Sequence, residues 1–168
     1  MAEISQAKKL LFSRKYREAA KLLDEMLVAD KDNDEVLFLR AVVSLKLQNH
    51  DNAISYLTRA LIVKKKGEYY RTLGMAHLEI FELEKAAENF WMALQEDEND
   101  IDANFFLAIC YMLMDNHKSE EFLKRAYQLD KKRTKILLRN FYTLFLRDDP
   151  KISDLQKRNI EEQIKKLN

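Results

Sequence analysis

The chain has 168 residues, with 29 Lys and Arg against 28 Asp and Glu, a formal net charge of +1, 47% hydrophobic residues, 2 Gly and 1 Pro. Near-neutral charge excludes a strong overall pull on nucleic acid or acidic membrane, and no uninterrupted apolar run approaches the roughly 18 residues of a membrane span. So few backbone breakers, in a mixture of Ala, Leu, Glu and Lys, point to helices throughout.

Taken in order, Glu3–Ser13 and Tyr16–Asp30 form a first predicted helical hairpin, and Asp34–Leu47 with Asp51–Val63 a second. Lys64-Lys65-Lys66-Gly67 follows; the lysines suit a helix C-terminus and Gly67 is expected at positive φ. The third hairpin lies in residues 70–100, with its connection near Phe81–Glu84. The fourth pairs Asp102–Met114 with His117–Leu129. After Asp130 the pattern changes. The next predicted helix, Lys135–Arg147, is apolar on nearly all sides (Ile136, Leu137, Leu138, Phe141, Tyr142, Leu144, Phe145, Leu146) and needs cover on more than one face. Asp149-Pro150 stops it, and Ser153 with Gln156 opens a last helix in capping-box spacing, striped by Ile160, Ile164 and Leu167.

Small residues return at a fixed interval. In first helices they are Ala7, Ala41, Gly74 and Ala108, spaced 34, 33 and 34; in second helices Ala19, Ala53, Ala86 and Ser119, spaced 34, 33 and 33. Met26, Ala60, Ala93 and Ala126 keep step, as does the large series Leu23, Leu57, Phe90 and Leu123. Small side chains let paired helices approach closely while the large ones fill the space beside them. One hairpin cannot bury its apolar face alone, so stacking is required.

With Tyr70-x-x-Leu73-Gly74-x-x-His77 and Ala86-x-x-x-Phe90, these columns make residues 2–130 resemble the tetratricopeptide-repeat (TPR) family. His77 stands where the family usually has an aromatic residue, and Glu98 where it often has proline. The resemblance implies an all-α superhelical solenoid of four hairpins plus a divergent C-terminal pair. As one domain over 1–168, its repeats would run about 2–33, 34–66, 67–99 and 100–130, with capping helices over 131–168.

Catalysis has little to stand on. His50, His77 and His117 have no His or Cys at i+3 or i+4, so no zinc spacing exists. His77 reads as a packing residue. Cys110, among Ile109, Tyr111 and Met112, reads as a buried, inert thiol. No phosphate loop or nucleophile elbow is present. A non-enzyme without metal or cofactor is the expectation. The lone cysteine and a charge-studded start without a signal-type apolar segment place it in the cytoplasm.

Binding is the stronger lead. The resemblance implies a concave groove lined by first helices, here Phe38, Val42 and Leu45, then Arg71, Met75 and Leu78, then Phe105, Ile109 and Met112. Glu35, Lys46, Glu68, Glu79 and Asp102 would stand at its rims, with Leu113 beside the floor. Such a floor suits an apolar helix or extended peptide. The protein's own last helix, or a second copy in a homo-oligomer, would fill it equally well. The grip that TPR cochaperones place on chaperone-tail carboxylates is not implied: the matching positions hold Ile4, Lys8, Leu39, Glu68 and Thr72, and only Lys8 fits. Trp91 reads as packed against the next hairpin, the alternative being an outward contact. The basic cluster Lys131, Lys132 and Arg133, with Arg125, Lys135 and Arg139, reads as a solvated helix junction, which makes nucleic acid an unlikely partner.

Overall fold

The structure, a computed structural model, describes residues 2–143 and 153–166. The described residues form helices and no strand. Residues Met1–Glu82 and Leu83–Asn168 are two compact units. The first unit holds α1 (Ala2–Phe12), α2 (Tyr16–Ala29), α3 (Asp34–Lys46), α4 (His50–Val63) and α5 (Gly67–Glu79). The second holds α6 (Leu83–Glu96), α7 (Ile101–Leu113), α8 (Ser119–Leu129), α9 (Lys131–Phe141) and α10 (Asp154–Lys166). Leu144, Phe145, Leu146, the Asp149-Pro150 stop and Leu167 lie outside the described residues, as do the side chains of Ile160 and Ile164.

In the first unit α1 packs on α2, α3 on α4, and α3 also on α1 and α5. The recurring small residues explain the close approach. Ala7, Ala19, Ala41, Ala53 and Ala60 are fully buried, and so are Leu23 and Leu57 beside them. Ala41 meets Leu57 and Leu73 in one cluster, edged by Phe38, Ile54, Tyr56 and Leu61. In the second unit the same columns place Ala86, Phe90, Ala93, Ala108 and Ala126 at zero exposure. Only Met26 and Ser119, at the ends of their series, are half-buried.

The turns inside the hairpins share one device. Arg14, Gln48, Phe81 and Asp115 have φ of 58°, 59°, 66° and 54°. The next backbone N–H reaches back across the helix end each time: Lys15 to Leu10, Asn49 to Ser44, Glu82 to His77, Asn116 to Tyr111, at 2.8–2.9 Å. This is the Schellman closure, with a non-glycine residue at the left-handed position in every turn. Gly67, by contrast, has no positive φ; it is the first residue of α5. That expectation is corrected because Lys64 and Lys66 are extended, which draws Lys66 across to Asp34.

Two other boundaries moved. The fourth hairpin's second helix begins at Ser119 rather than His117, because Asn116 Oδ1 accepts the Lys118 N–H at 3.0 Å and holds a turn there. The following helix begins at Lys131 rather than Lys135, because Asp130 Oδ1 accepts the Arg133 N–H at 2.8 Å and caps it. α9 packs on α7, α8 and α10, which gives it cover on more than one face. Leu138 and Phe141 are buried, while Ile136 stays about half open. α10 starts directly after Ser153, at the place the capping-box spacing predicts.

Candidate functional site

The predicted lining residues divide between the two units. In the first, Phe38, Val42 and Leu45 on α3 and Arg71 and Met75 on α5 are half-buried, and Leu78 is buried. Their helices α3 and α5 pack on one another. Phe38 is held by stacking on Tyr69, ring centroids 4.7 Å apart and planes 21° apart. Two of the charges around them lie beside partners of their own chain. Lys8 Nζ bonds Glu35 Oε1 at 2.7 Å, so the one lysine that fitted a carboxylate clamp is paired to a carboxylate of its own chain. Glu79 stands 3.3 Å from His50 Nδ1 without hydrogen-bond alignment, and partial burial raises its pKa.

In the second unit Phe105, Ile109 and Met112 are buried, so they are not open to an incoming partner as the groove reading expected. Phe141 of α9 stands edge-on to Phe105 with centroids 6.4 Å apart. Met112 shares a small cleft with Asn159 and Glu162 of α10. α10 packs on both α7 and α9, and the Tyr142 hydroxyl donates to Glu161 across to it. The last helix therefore rests on the first helix of the fourth hairpin, which was one of the expected occupants.

A polar clasp, unforeseen in the lysine run, ties α3 to α5. Lys66 Nζ donates to Asp34 Oδ2 at 2.7 Å and meets the Tyr69 hydroxyl at 2.8 Å; that hydroxyl donates to Asp34 Oδ2 at 2.7 Å. The Lys66 hydrogen bond holds the Asp34 carboxyl below its usual range, and Asp34 holds the Lys66 ammonium above its own. Burial pushes the Tyr69 phenol up to about 12. The depressed Asp34 contributes stability above its unfolded value of 3.8 that is lost as pH falls through the folded value. The raised Lys66 and Tyr69 contribute stability that is complete below 10 and lost as pH rises beyond it. Urea midpoints should thus decline above pH 10, and Tyr69→Phe should flatten that alkaline limb. An unchanged limb in the variant would show that Tyr69 has no part in it.

His77 is buried, with Nδ1 2.6 Å from Glu82 Oε2 across the turn, so the packing reading holds and gains a carboxylate partner. Cys110 is fully buried and burial pushes its thiol up to about 12, far from a reactive thiolate. No metal-holding group of His, Cys, Asp or Glu occurs among the described residues, and no described helix is long and apolar enough to cross a membrane. The basic cluster is partly neutralised. Arg133 forks onto Asp102, Nε to Oδ1 at 3.0 Å and Nη2 to Oδ2 at 2.7 Å, Arg125 pairs with Glu98, and Lys131 lies over the Tyr127 ring. Trp91 meets Phe122 of the next hairpin edge-on, as expected, yet remains 46% exposed.

No protein-family model and no curated protein matches the sequence. Solved structures do. MamA superposes with a TM-score of 0.72 at 21% identity, with 95% of each chain covered. A MamA fragment from Desulfovibrio magneticus RS-1 gives 0.71 at 20% identity, over 78% of this chain and 75% of that one. YrrB, described as a TPR protein with an unusual peptide-binding site, gives 0.73 at 14% identity, over 100% of this chain and 86% of its own.

Proposed function

From the premise that this chain has the tetratricopeptide-repeat fold, we propose that it is a non-catalytic protein-interaction scaffold whose α3–α5 face receives an amphipathic helix. The observation that carries this reading is the half-buried apolar row Phe38, Val42, Leu45 and Met75, edged by Arg71. Two further facts support it. In the second unit the chain lays its own α10 on α7, the first helix of its hairpin as α3 and α5 are of theirs. YrrB, of like fold, is described as peptide-binding. Affinity would come from apolar area removed from water, at about 25 cal/mol per Å², with the rim charges fixing orientation.

Selection of helical peptides from a display library on the full chain tests this. Enriched peptides should carry apolar residues at i, i+3, i+4 and i+7. The double variant Val42→Glu, Met75→Glu should bind them at least about a hundredfold more weakly, since each lost apolar contact is worth about 1.5–3 kcal/mol. Its far-ultraviolet circular dichroism should be unchanged. No enrichment, or equal binding by the variant, would remove this face as the site.

One observation favours a second reading, self-assembly. Val28 on α2 and Ile62 on α4 occupy the same repeat position and are 89% and 81% exposed, and Phe12 is 93% exposed. Exposed apolar residues in register are what a chain-to-chain contact needs. Light scattering over a concentration series separates the two readings: a mass that stays monomeric throughout removes assembly.

A further inference from the structure

The second unit carries a cleft of about 550 Å³ between α6, the end of α7 and α8, lined by none of the residues assigned above to partner binding. The rings of Trp91, Tyr111 and Phe122 line it. Trp91 and Phe122 stand at 87° with centroids 6.0 Å apart, and Tyr111 lies 5.7 Å from Phe122 at 47°, so the three rings form an angled wall. Ala87, nearly buried, keeps the α6 side of the cleft deep because a longer side chain would fill it.

Around these rings stand three carboxylates, Glu84, Glu88 and Glu121, against one ammonium, Lys118. The carboxylates are exposed and none is in an ion pair among the described residues. Glu84, Glu88 and Trp91 follow one another at i, i+4 and i+7 on α6, so they share a single helix face. Two like charges one turn apart disfavour that helix by a few tenths of a kcal/mol, roughly 0.2–0.5, and a cation between them would relieve it. Aromatic faces attract cations through their quadrupole, and tryptophan does so best. The tryptophan here is left nearly half open at the spot where a cation would meet both attractions.

We propose that this cleft binds an arginine side chain of a partner polypeptide. A guanidinium is planar, weakly hydrated and forked, so it can stack on a ring while bonding carboxylates at its edge. A lysine ammonium has the charge without the stacking plane. The cleft volume lies within the range of about 300–1,000 Å³ found for ligand sites, which leaves room for residues flanking the arginine. The proposal is independent of the α3–α5 face and does not fall with it.

Trp91 is the chain's one tryptophan, so its emission reports on this cleft alone. The full chain is titrated with a nine-residue peptide bearing one central arginine, with the same peptide carrying citrulline, and with free argininamide. The arginine peptide should change Trp91 emission saturably. Citrulline, which keeps the shape and loses the charge, should bind about tenfold or more weakly, and the double variant Glu84→Gln, Glu88→Gln should lose about as much. Both substitutions are at exposed positions, and circular dichroism checks that the helices persist. Equal binding of citrulline, full affinity in the double variant, or no saturable change would overturn the assignment. Argininamide binding as tightly as the peptide would overturn the polypeptide partner.

Discussion

Phe90→Ala is expected to cost about 3–5 kcal/mol, a large share of the roughly 5–15 kcal/mol that holds a typical domain folded. Phe90 is fully buried in α6 and stacks on Phe106 of α7, with centroids 5.6 Å apart and planes 22° apart. Truncation removes the apolar transfer energy and leaves a cavity that helices fixed by Ala86, Ala93 and Ala108 have little freedom to close. The neighbouring Trp91→Ala is the control. It loses a partly exposed ring and one edge contact worth about 0.5–1.5 kcal/mol, so its urea midpoint should fall much less. Comparable losses from the two substitutions would mean that the large-residue column is not the centre of packing in this unit.

The opposite insult falls on the small-residue column. Ala41→Leu is expected to destabilise the first unit by about 1–3 kcal/mol or more, although it adds only apolar atoms. Ala41 has no exposed surface and faces Leu57 and Leu73, so three extra carbons must push α3 away from its neighbours or adopt a strained rotamer. Ser55→Leu, exposed on α4, should stay within about 0.5 kcal/mol of wild type. A neutral Ala41→Leu in urea denaturation would show that close helix approach does not depend on a small residue there.

Much of the fold could be read from residues alone, and for one reason. Ala7, Ala41, Gly74 and Ala108, and the columns that keep step with them, are constrained by packing against the same kind of neighbour in each repeat, so the constraint is written periodically. The turns left no such mark. Arg14, Gln48, Phe81 and Asp115 share a left-handed conformation but not a residue type, because the Schellman hydrogen bonds and the packing of two helices override a side-chain preference of about 1–2 kcal/mol. Lys66 misled in a similar way. As part of a lysine run it reads as a helix cap, whereas its partners Asp34 and Tyr69 are 32 residues before it and 3 after it.

The candidate surface was less legible than the fold. Phe38, Val42 and Met75 occupy the same kind of helix position as Phe105, Ile109 and Met112, and periodicity gives them equal weight. Exposure divides them, because α9 and α10 come back onto α7, whereas the α3 and α5 residues stay half open. The Trp91 cleft had even less to announce it: its rings come from three helices and its carboxylates from two. By itself the sequence determined an all-α chain of repeated hairpins, since helix period and close approach act between residues near one another along the chain or one repeat apart. Which apolar side chains remain open to a partner was decided only by tertiary structure, because burial depends on where distant segments come to rest.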